Sequence, residues 1–135
     1  MADNIRLEVV TPERTVTSED AQIVMAPGSL GEFGVLPEHT PFLTSLQPGC
    51  LHYKDATGNE KQIVVSGGFA EALPDKMTVL AESAEKKEDI DVQRAEAAKE
   101  RAEKRLAGNA EEDVDFARAR AALARSIQRL RVASS

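Results

Sequence analysis

Residues 77–97, MTVLAESAEKKEDIDVQRAEA, contain the point at which the hydrophobic period of the chain changes. Before this point apolar residues alternate with polar ones, as at Met77 and Val79, and a period of two is typical of half-buried strands. After it they recur every three or four residues, which is typical of one face of a helix. The change falls near Lys87 and predicts a β-rich part, residues 1–87, followed by a helical part, residues 88–135.

The composition changes at the same point. All six prolines and seven of the eight glycines lie in residues 1–87, whereas residues 88–135 contain twelve alanines. Proline and glycine favour turns, and alanine favours helices. We therefore predict an antiparallel β-sandwich or flattened barrel over residues 1–85 and an antiparallel α-helical hairpin, with helices over residues 90–106 and 114–131.

The two periods also predict which residues face the interior. The core-facing strand residues are predicted to be Ile5, Leu7, Val9, Ile23, Met25, Leu51, Tyr53, Ile63, Val65, Met77 and Val79. The helix stripes are predicted to be Val92, Ala95, Ala98 or Lys99, Ala102 and Leu106, and then Phe116, Ala119, Leu123, Ile127 and Leu130. Asp89 or Asp91 can cap the first helix and Asp113 or Asp115 the second. Gly108 and Asn109 suit a left-handed turn that ends the first helix.

Charge and cysteine content narrow the class of protein. The 135 residues include 17 basic and 23 acidic side chains, a net charge of −6, which argues against nucleic acid as the main partner. The N-terminus lacks a secretory signal, and no apolar run approaches the roughly 18 residues of a membrane span. One cysteine, Cys50, excludes an internal disulfide, so we expect a reducing, cytoplasmic setting.

No motif in the sequence predicts an enzyme site. His39 and His52 lack metal-ligand spacing, the serine motif G-x-S-x-G is absent, and the glycines of residues 28–34 lack the lysine of a P-loop. Cys50, at an expected strand start, is interpreted as a small packed residue. We expect a chain that is not an enzyme, with no metal site and no required cofactor.

The predicted second helix has a strongly basic face. No acid follows Asp115, but five arginines do: Arg118, Arg120, Arg125, Arg129 and Arg131. Their spacing puts several on one side of the helix, and guanidinium groups bind phosphates bidentately. Cations near a helix C-terminus also complement the helix dipole, which is an alternative explanation. Because the hairpin has few large apolar residues, it is interpreted either as a switch element or as a static hairpin packed on the sandwich.

Several segments together resemble the epsilon subunit of bacterial F-type ATP synthase, whose mitochondrial equivalent is called delta. They are residues 31–44 (GEFGVLPEHTPFLT), 47–49 (QPG), 66–71 (SGGFAE), 79–82 (VLAE), 113–119 (DVDFARA) and 129–132 (RLRV). The resemblance implies a non-catalytic rotor subunit of the central stalk that couples proton translocation to ATP synthesis. It also implies a peripheral place at the cytoplasmic face of the bacterial plasma (inner) membrane, through the complex.

The resemblance implies partners for each part. The sandwich would contact the gamma subunit and the c-ring, and we expect Phe33, Leu36, His39 and Phe42 to contribute. The alternative is that these side chains only plug the end of the sandwich. The hairpin would either stay folded or extend into the alpha/beta catalytic head, where it inhibits ATP hydrolysis.

A nucleotide motif follows from the same resemblance. Some family members bind ATP in the folded hairpin through Ile/Leu-Asp-x-x-Arg-Ala, and residues 90–95 read IDVQRA. The implied ATP-binding residues are Glu85, Ile90, Asp91, Arg94, Arg101, Arg125 and Arg129, with ATP as a regulatory ligand. The alternative is a free-standing nucleotide sensor or an adaptor that presents its hairpin to another machine. A rotor subunit should differ from both by an apolar patch on one sandwich face.

Overall fold

The computed structural model of the chain describes residues 3–108 and 116–135. The chain divides into two compact units, Met1–Lys87 and Glu88–Ser135. The strands are β1 (Ile5–Val10), β2 (Thr15–Gly28), β3 (Gly31–Val35), β4 (Phe42–Asp55), β5 (Glu60–Ala72), β6 (Lys76–Ala81) and β7 (Ala84–Lys86). A 3-10 turn (Lys87–Asp89) precedes two helices, α1 (Val92–Ala107) and α2 (Phe116–Ser134).

The strands pair in the order β1–β6–β5–β4–β2–β3, and β1 also pairs with β2, so the sheet closes on itself. Strand β5 pairs with β7 over residues 63–65 and with β6 over residues 68–72. It changes partner at Gly67 and Gly68, and strands that change partner at a bend join the two layers of a sandwich. The predicted β-sandwich followed by a helical hairpin is confirmed.

One pairing differs from the antiparallel prediction. Strands β1 and β6 run parallel, with Val9 opposite Val79. A parallel pair needs a long crossover connection, and here strands β2 to β5 supply it. Alternation of apolar residues carries no information about strand direction, so the sequence pattern could not distinguish the two cases.

The core follows the predicted alternation except on β2. Of the predicted set, nine residues are buried: Ile5, Leu7, Val9, Leu51, Tyr53, Ile63, Val65, Met77 and Val79. On β2 the prediction is wrong by one residue, because Val24 and Ala26 are fully buried whereas Ile23 and Met25 are only partly buried. The pairing of β2 with β4 shifts register between Ala21 and Ile23. One extra residue in a strand exchanges its two faces.

The ends of α1 are defined by its caps. The helix begins two residues later than predicted because Asp91 is its N-cap. Gly108 ends the helix in an extended conformation, with φ −84°, so the predicted left-handed turn is wrong at this residue. The Gly108 N–H donates to Lys104 O at 2.8 Å, which satisfies a terminal carbonyl without a positive φ. Asn109, the predicted caps Asp113 and Asp115 and the predicted helix start at residue 114 lie outside the described residues.

The buried face of the hairpin consists mostly of small residues. Helices α1 and α2 contact each other, and their buried residues are Ala95, Ala102, Ala119, Ser126 and Val132. The predicted stripes are therefore right at three alanines. They are wrong at Val92, Phe116 and Ile127, which are 44%, 43% and 37% exposed. Ile127 follows Ser126 by one residue, a rotation of about 100°, so it lies at the edge of the buried face.

Candidate functional site

Asp91 and Arg94 of the predicted nucleotide motif lie at the N-terminus of α1. One carboxylate oxygen of Asp91, Oδ1, accepts a hydrogen bond from the Arg94 backbone N–H at 3.0 Å. Ile90 directly precedes this cap and Ala95 is the fourth residue of the helix, which are the two positions of a hydrophobic staple. The motif therefore has a structural role as a helix start, and the cap engages the backbone of Arg94 rather than its guanidinium.

The arginines of the predicted ATP site are accessible on both helices. Arg94, Arg101 and Arg125 are exposed, and Arg129 is half-buried. Arg94 and Arg101 are seven residues apart on α1, and Arg125 and Arg129 are four apart on α2, so each pair lies along one side of its helix. Glu85 is half-buried on β7, opposite Val64 of β5.

The aromatic residues of the predicted partner loop pack on one another. The rings of Phe33 and Phe42 meet edge-to-face with centroids 5.3 Å apart, and the His39 ring lies 5.2 Å from Phe42. Phe33 and Phe42 also pack against the sandwich core. His39 Nδ1 hydrogen-bonds to Thr40 O at 2.7 Å. These three rings therefore support the loop from within.

Leu36 is presented outward by a tight turn in the same loop. His39 N–H donates to Leu36 O at 3.2 Å, and Pro37 occupies the second position, where its fixed φ suits a turn. Glu38, at the third position, has φ +66°. Its N–H donates to Pro74 O at 2.6 Å, which ties the loop to the β5–β6 turn. Leu36 itself is 54% exposed.

A second exposed apolar surface crosses strands β1, β6 and β5. Phe69 and Leu80 are directly opposite each other and are 56% and 55% exposed. Val10 lies opposite Leu80 on the other side of β6. With Pro12 these residues line a groove of about 390 Å³. We call Val10, Pro12, Phe69 and Leu80 the apolar face.

Sequence reasoning did not single out the apolar face, although the sequence carries a signal for it. Val10 and Leu80 each follow a predicted core residue, and Phe69 precedes the buried Ala70. Successive residues of a strand point to opposite faces. Apolar side chains at successive positions therefore predict that both faces of a strand are covered.

A polar cluster joins β2, β4 and β5. Tyr53 Oη donates to Glu19 Oε2 at 2.5 Å, and Lys61 Nζ contacts Glu19 Oε1 at 2.9 Å and Asp55 Oδ2 at 3.2 Å. Burial, together with the hydrogen bond to Glu19, raises the pKa of the Tyr53 hydroxyl. The backbone hydrogen bond from Asn59 and the contact with Lys61 lower the pKa of Asp55. Each charged group has a hydrogen-bonding partner, so the cluster fits a structural role.

The other candidate groups are placed as follows. Cys50 lies within β4 rather than at a strand start, is half-buried opposite Val64, and burial raises the pKa of its thiol. His52 Nε2 lies 3.4 Å from Glu32 Oε2.

Within residues 3–108 and 116–135, no cluster of three or more His, Cys, Asp or Glu side chains could hold a metal. None of the helices in these ranges combines the length and hydropathy of a membrane span.

Comparison with known proteins matches both units. The beta-sandwich domain of the ATP synthase delta/epsilon chain matches residues 4–87, and the long alpha-helix domain of that chain matches residues 88–134. The ATP synthase epsilon chain of Desulfosudis oleivorans is 76% identical over 106 residues, which cover 78% of this chain and 80% of that one. The epsilon chain of Desulforapulum autotrophicum is 66% identical over 107 residues, 79% of each chain.

A solved structure shares the fold. The Euglena gracilis mitochondrial ATP synthase, in a cryo-EM structure of its OSCP/F1/c-ring, contains a chain that superposes with a TM-score of 0.83 at 23% identity. The superposition covers 100% of this chain and 84% of that one. With both domains matched and close relatives named epsilon chain, the chain belongs to the ATP synthase delta/epsilon family, as a non-catalytic, epsilon-type subunit of the central stalk.

Proposed function

We propose that this chain couples proton translocation to ATP synthesis as a rotor subunit docked on the gamma subunit and the c-ring. It would act at the cytoplasmic face of the bacterial plasma membrane. The observation that carries the proposal is the apolar face, in which Phe69 and Leu80 are more than half exposed side by side. Contiguous exposed apolar residues mark interaction sites. A free-standing sensor or adaptor has no need of such a face on its sandwich.

The loop of residues 31–44 provides the second proposed contact, with the c-ring. Leu36 is exposed and its turn is anchored through Glu38 to Pro74. Phe33, His39 and Phe42 would contribute by fixing the shape of the loop, because their rings pack together. Truncating Leu36 therefore tests the contact, whereas truncating Phe33 or Phe42 also removes packing from the core.

Docking can be tested by co-purification of the gamma subunit from detergent-solubilised membranes. The Phe69→Ala/Leu80→Ala double variant removes two exposed side chains, so the fold should be kept. Interface anchors contribute about 1–2 kcal/mol each, so the double variant should bind gamma about tenfold or more weakly and recover less of it. Ile127→Ala, which truncates an exposed apolar residue of α2, is the matched control and should have no effect. A folded double variant that recovers gamma normally contradicts the proposal.

For the hairpin, we propose that the folded form binds ATP as a regulatory ligand, through Glu85, Ile90, Asp91, Arg94, Arg101, Arg125 and Arg129. The IDVQRA match and the accessible arginine pairs on both helices support it. Guanidinium groups from two helices can meet one triphosphate only while the helices lie side by side. ATP would therefore favour the folded hairpin by RT ln(1 + [L]/Kd), about 2.7 kcal/mol at a hundredfold excess. An extended hairpin would instead enter the alpha/beta head and inhibit hydrolysis.

Calorimetric titration of the purified chain with ATP tests this site. Arg94→Ala keeps the helix cap, because Asp91 accepts from the backbone N–H of residue 94, so a loss of affinity would report the guanidinium alone. We expect Arg94→Ala and Arg129→Ala to weaken binding about tenfold or more, since charge-assisted hydrogen bonds contribute about 1.5–3 kcal/mol. Arg120→Ala, exposed on α2 and outside the proposed site, should bind as the wild type. No binding by the wild type at millimolar ATP would refute the site.

A further inference from the structure

We propose that the apolar face recognises a partner surface whose apolar side chains are flanked on both sides by lysine or arginine. The proposal rests on the docking role given above and adds the chemistry of the partner. It follows from the acidic residues around Phe69 and Leu80.

Two glutamates flank the Phe69–Leu80 pair at opposite ends. Glu71 follows Phe69 by two residues on β5, and Glu82 follows Leu80 by two residues just beyond β6. Because β5 and β6 are antiparallel, two steps along each strand lead in opposite directions. Glu82 lines the groove, and its carboxylate lies over β5, 3.5 Å from the position of a Cβ at Gly67.

These two carboxylates differ from the other charges on this side of the sandwich. Arg6 pairs with Asp20 and Lys76 pairs with Glu8, each at 3.4 Å. Among the described residues, no basic group lies within ion-pair distance of Glu71 or Glu82. The β1–β2 turn beside the groove adds one charge of each sign, at residues 13 and 14. The apolar pair therefore lies between two unpaired negative charges.

The unpaired charges determine what can cover the face. A carboxylate that loses water at an interface destabilises the complex unless the partner supplies a cation. A second copy of this chain would bring acidic residues instead, since residues 1–87 carry seven basic and thirteen acidic side chains. A basic partner would bind faster and more tightly, because its cations steer the approach and then pair with Glu71 and Glu82.

Binding of purified gamma subunit to the full chain at different salt concentrations tests the inference. The Glu71→Lys/Glu82→Lys variant should bind about tenfold more weakly at about 50 mM salt, with a smaller deficit at about 500 mM, because salt screens exposed charges. Glu60→Lys, a reversal at the other end of β5, is the matched control and should leave binding unchanged.

The Phe69→Ala/Leu80→Ala variant shows whether a negative result contradicts the basic partner or the docking face itself. If the charge-reversed chain binds gamma as the wild type does while Phe69→Ala/Leu80→Ala binds weakly, the basic complement is wrong and the docking face stands. If both variants bind normally, the docking face itself is wrong. A deficit in the reversed chain that does not change with salt would also overturn the inference, because a charge effect must be screened.

Discussion

Replacement of Gly68 by alanine should strongly destabilise the sandwich, because two separate constraints exclude a side chain there. Gly68 has φ +114°, a region that residues with a Cβ adopt only with strain. An added Cβ would lie 2.0 Å from Leu80 O and 2.8 Å from Ala81 Cα. Both atoms belong to the backbone of β6, so no side-chain rotation can relieve the overlap.

The two constraints give an expected loss of about 3–5 kcal/mol. A non-glycine residue in such a conformation costs about 1–3 kcal/mol. To relieve the overlap, β6 must move by about 1 Å or more at the residue 68–81 pairing. That movement weakens neighbouring ladder hydrogen bonds, each of which contributes about 1 kcal/mol. The sum is a large part of the roughly 5–15 kcal/mol that stabilises a typical domain.

Alanine variants of other glycines in the same chain distinguish backbone strain from overlap of the added Cβ. Gly31 and Gly58 also have positive φ, +129° and +89°, but no atom lies within 4 Å of an added Cβ. Their alanine variants should lose only the conformational part, about 1–3 kcal/mol. Gly49 lies outside the positive-φ region, and its added Cβ would lie 2.8 Å from Pro27 Cβ. Gly49→Ala therefore tests crowding without backbone strain.

The measurement is the free energy of unfolding by urea, followed by far-UV circular dichroism together with hydrogen exchange of the β5 and β6 amides. Exchange is needed because the helices dominate the dichroism signal. We expect Gly68→Ala to be destabilised by at least 1 kcal/mol more than Gly31→Ala. Equal losses for these two variants would refute the argument that the β6 backbone blocks a side chain at Gly68.

Three further outcomes are expected. Asp91→Ala should lower the stability of α1 by about 1 kcal/mol while Asp91→Asn stays near the wild type, as read from exchange of the first-turn amides. Asp55 has a lowered pKa in the folded state, so the advantage of the wild type over Asp55→Asn should be full above its ordinary pKa of 3.8 and shrink as the pH falls below it. Urea titrations at several pH values measure this, and a constant difference would contradict it. Phe42→Ala should lower the free energy of unfolding by about 2–3 kcal/mol through lost ring packing, whereas Leu36→Ala, at an exposed position, should change it by less than about 0.5 kcal/mol.

Local rules predicted the strands wherever the pairing is regular. The alternation correctly predicts that Ile5, Leu7 and Val9 are buried, because β1 keeps its register with β6 throughout. The same alternation wrongly predicts that Ile23 is buried, because a shift in the β2–β4 pairing exchanges the faces of β2. No glycine or proline marks that shift in residues 21–23, so the sequence gives no warning of it.

The helix ends show the same limit. The sequence offers Asp89 and Asp91 as caps of the first helix, because such a side chain needs only a backbone N–H two or three residues further on. The structure has that bond at Asp91. Gly108 was expected to be left-handed because glycine permits it, yet Lys104 O is reached from an extended conformation. A residue that merely allows a conformation predicts the local structure less well than a side chain that needs a hydrogen-bond donor.

The apolar face shows why a candidate surface is harder to predict than the core. Val10, Phe69 and Leu80 are each ordinary when taken singly, since isolated apolar residues are common on protein surfaces. They become a surface only because β6 lies between β1 and β5, which puts Leu80 opposite both Phe69 and Val10. The contact with Val10 depends on the parallel β1–β6 pairing, the one pairing that alternation did not predict. The proposed docking face thus depends on strand order, a non-local property, whereas the core, except on β2, could be predicted from the alternation of apolar residues within each strand.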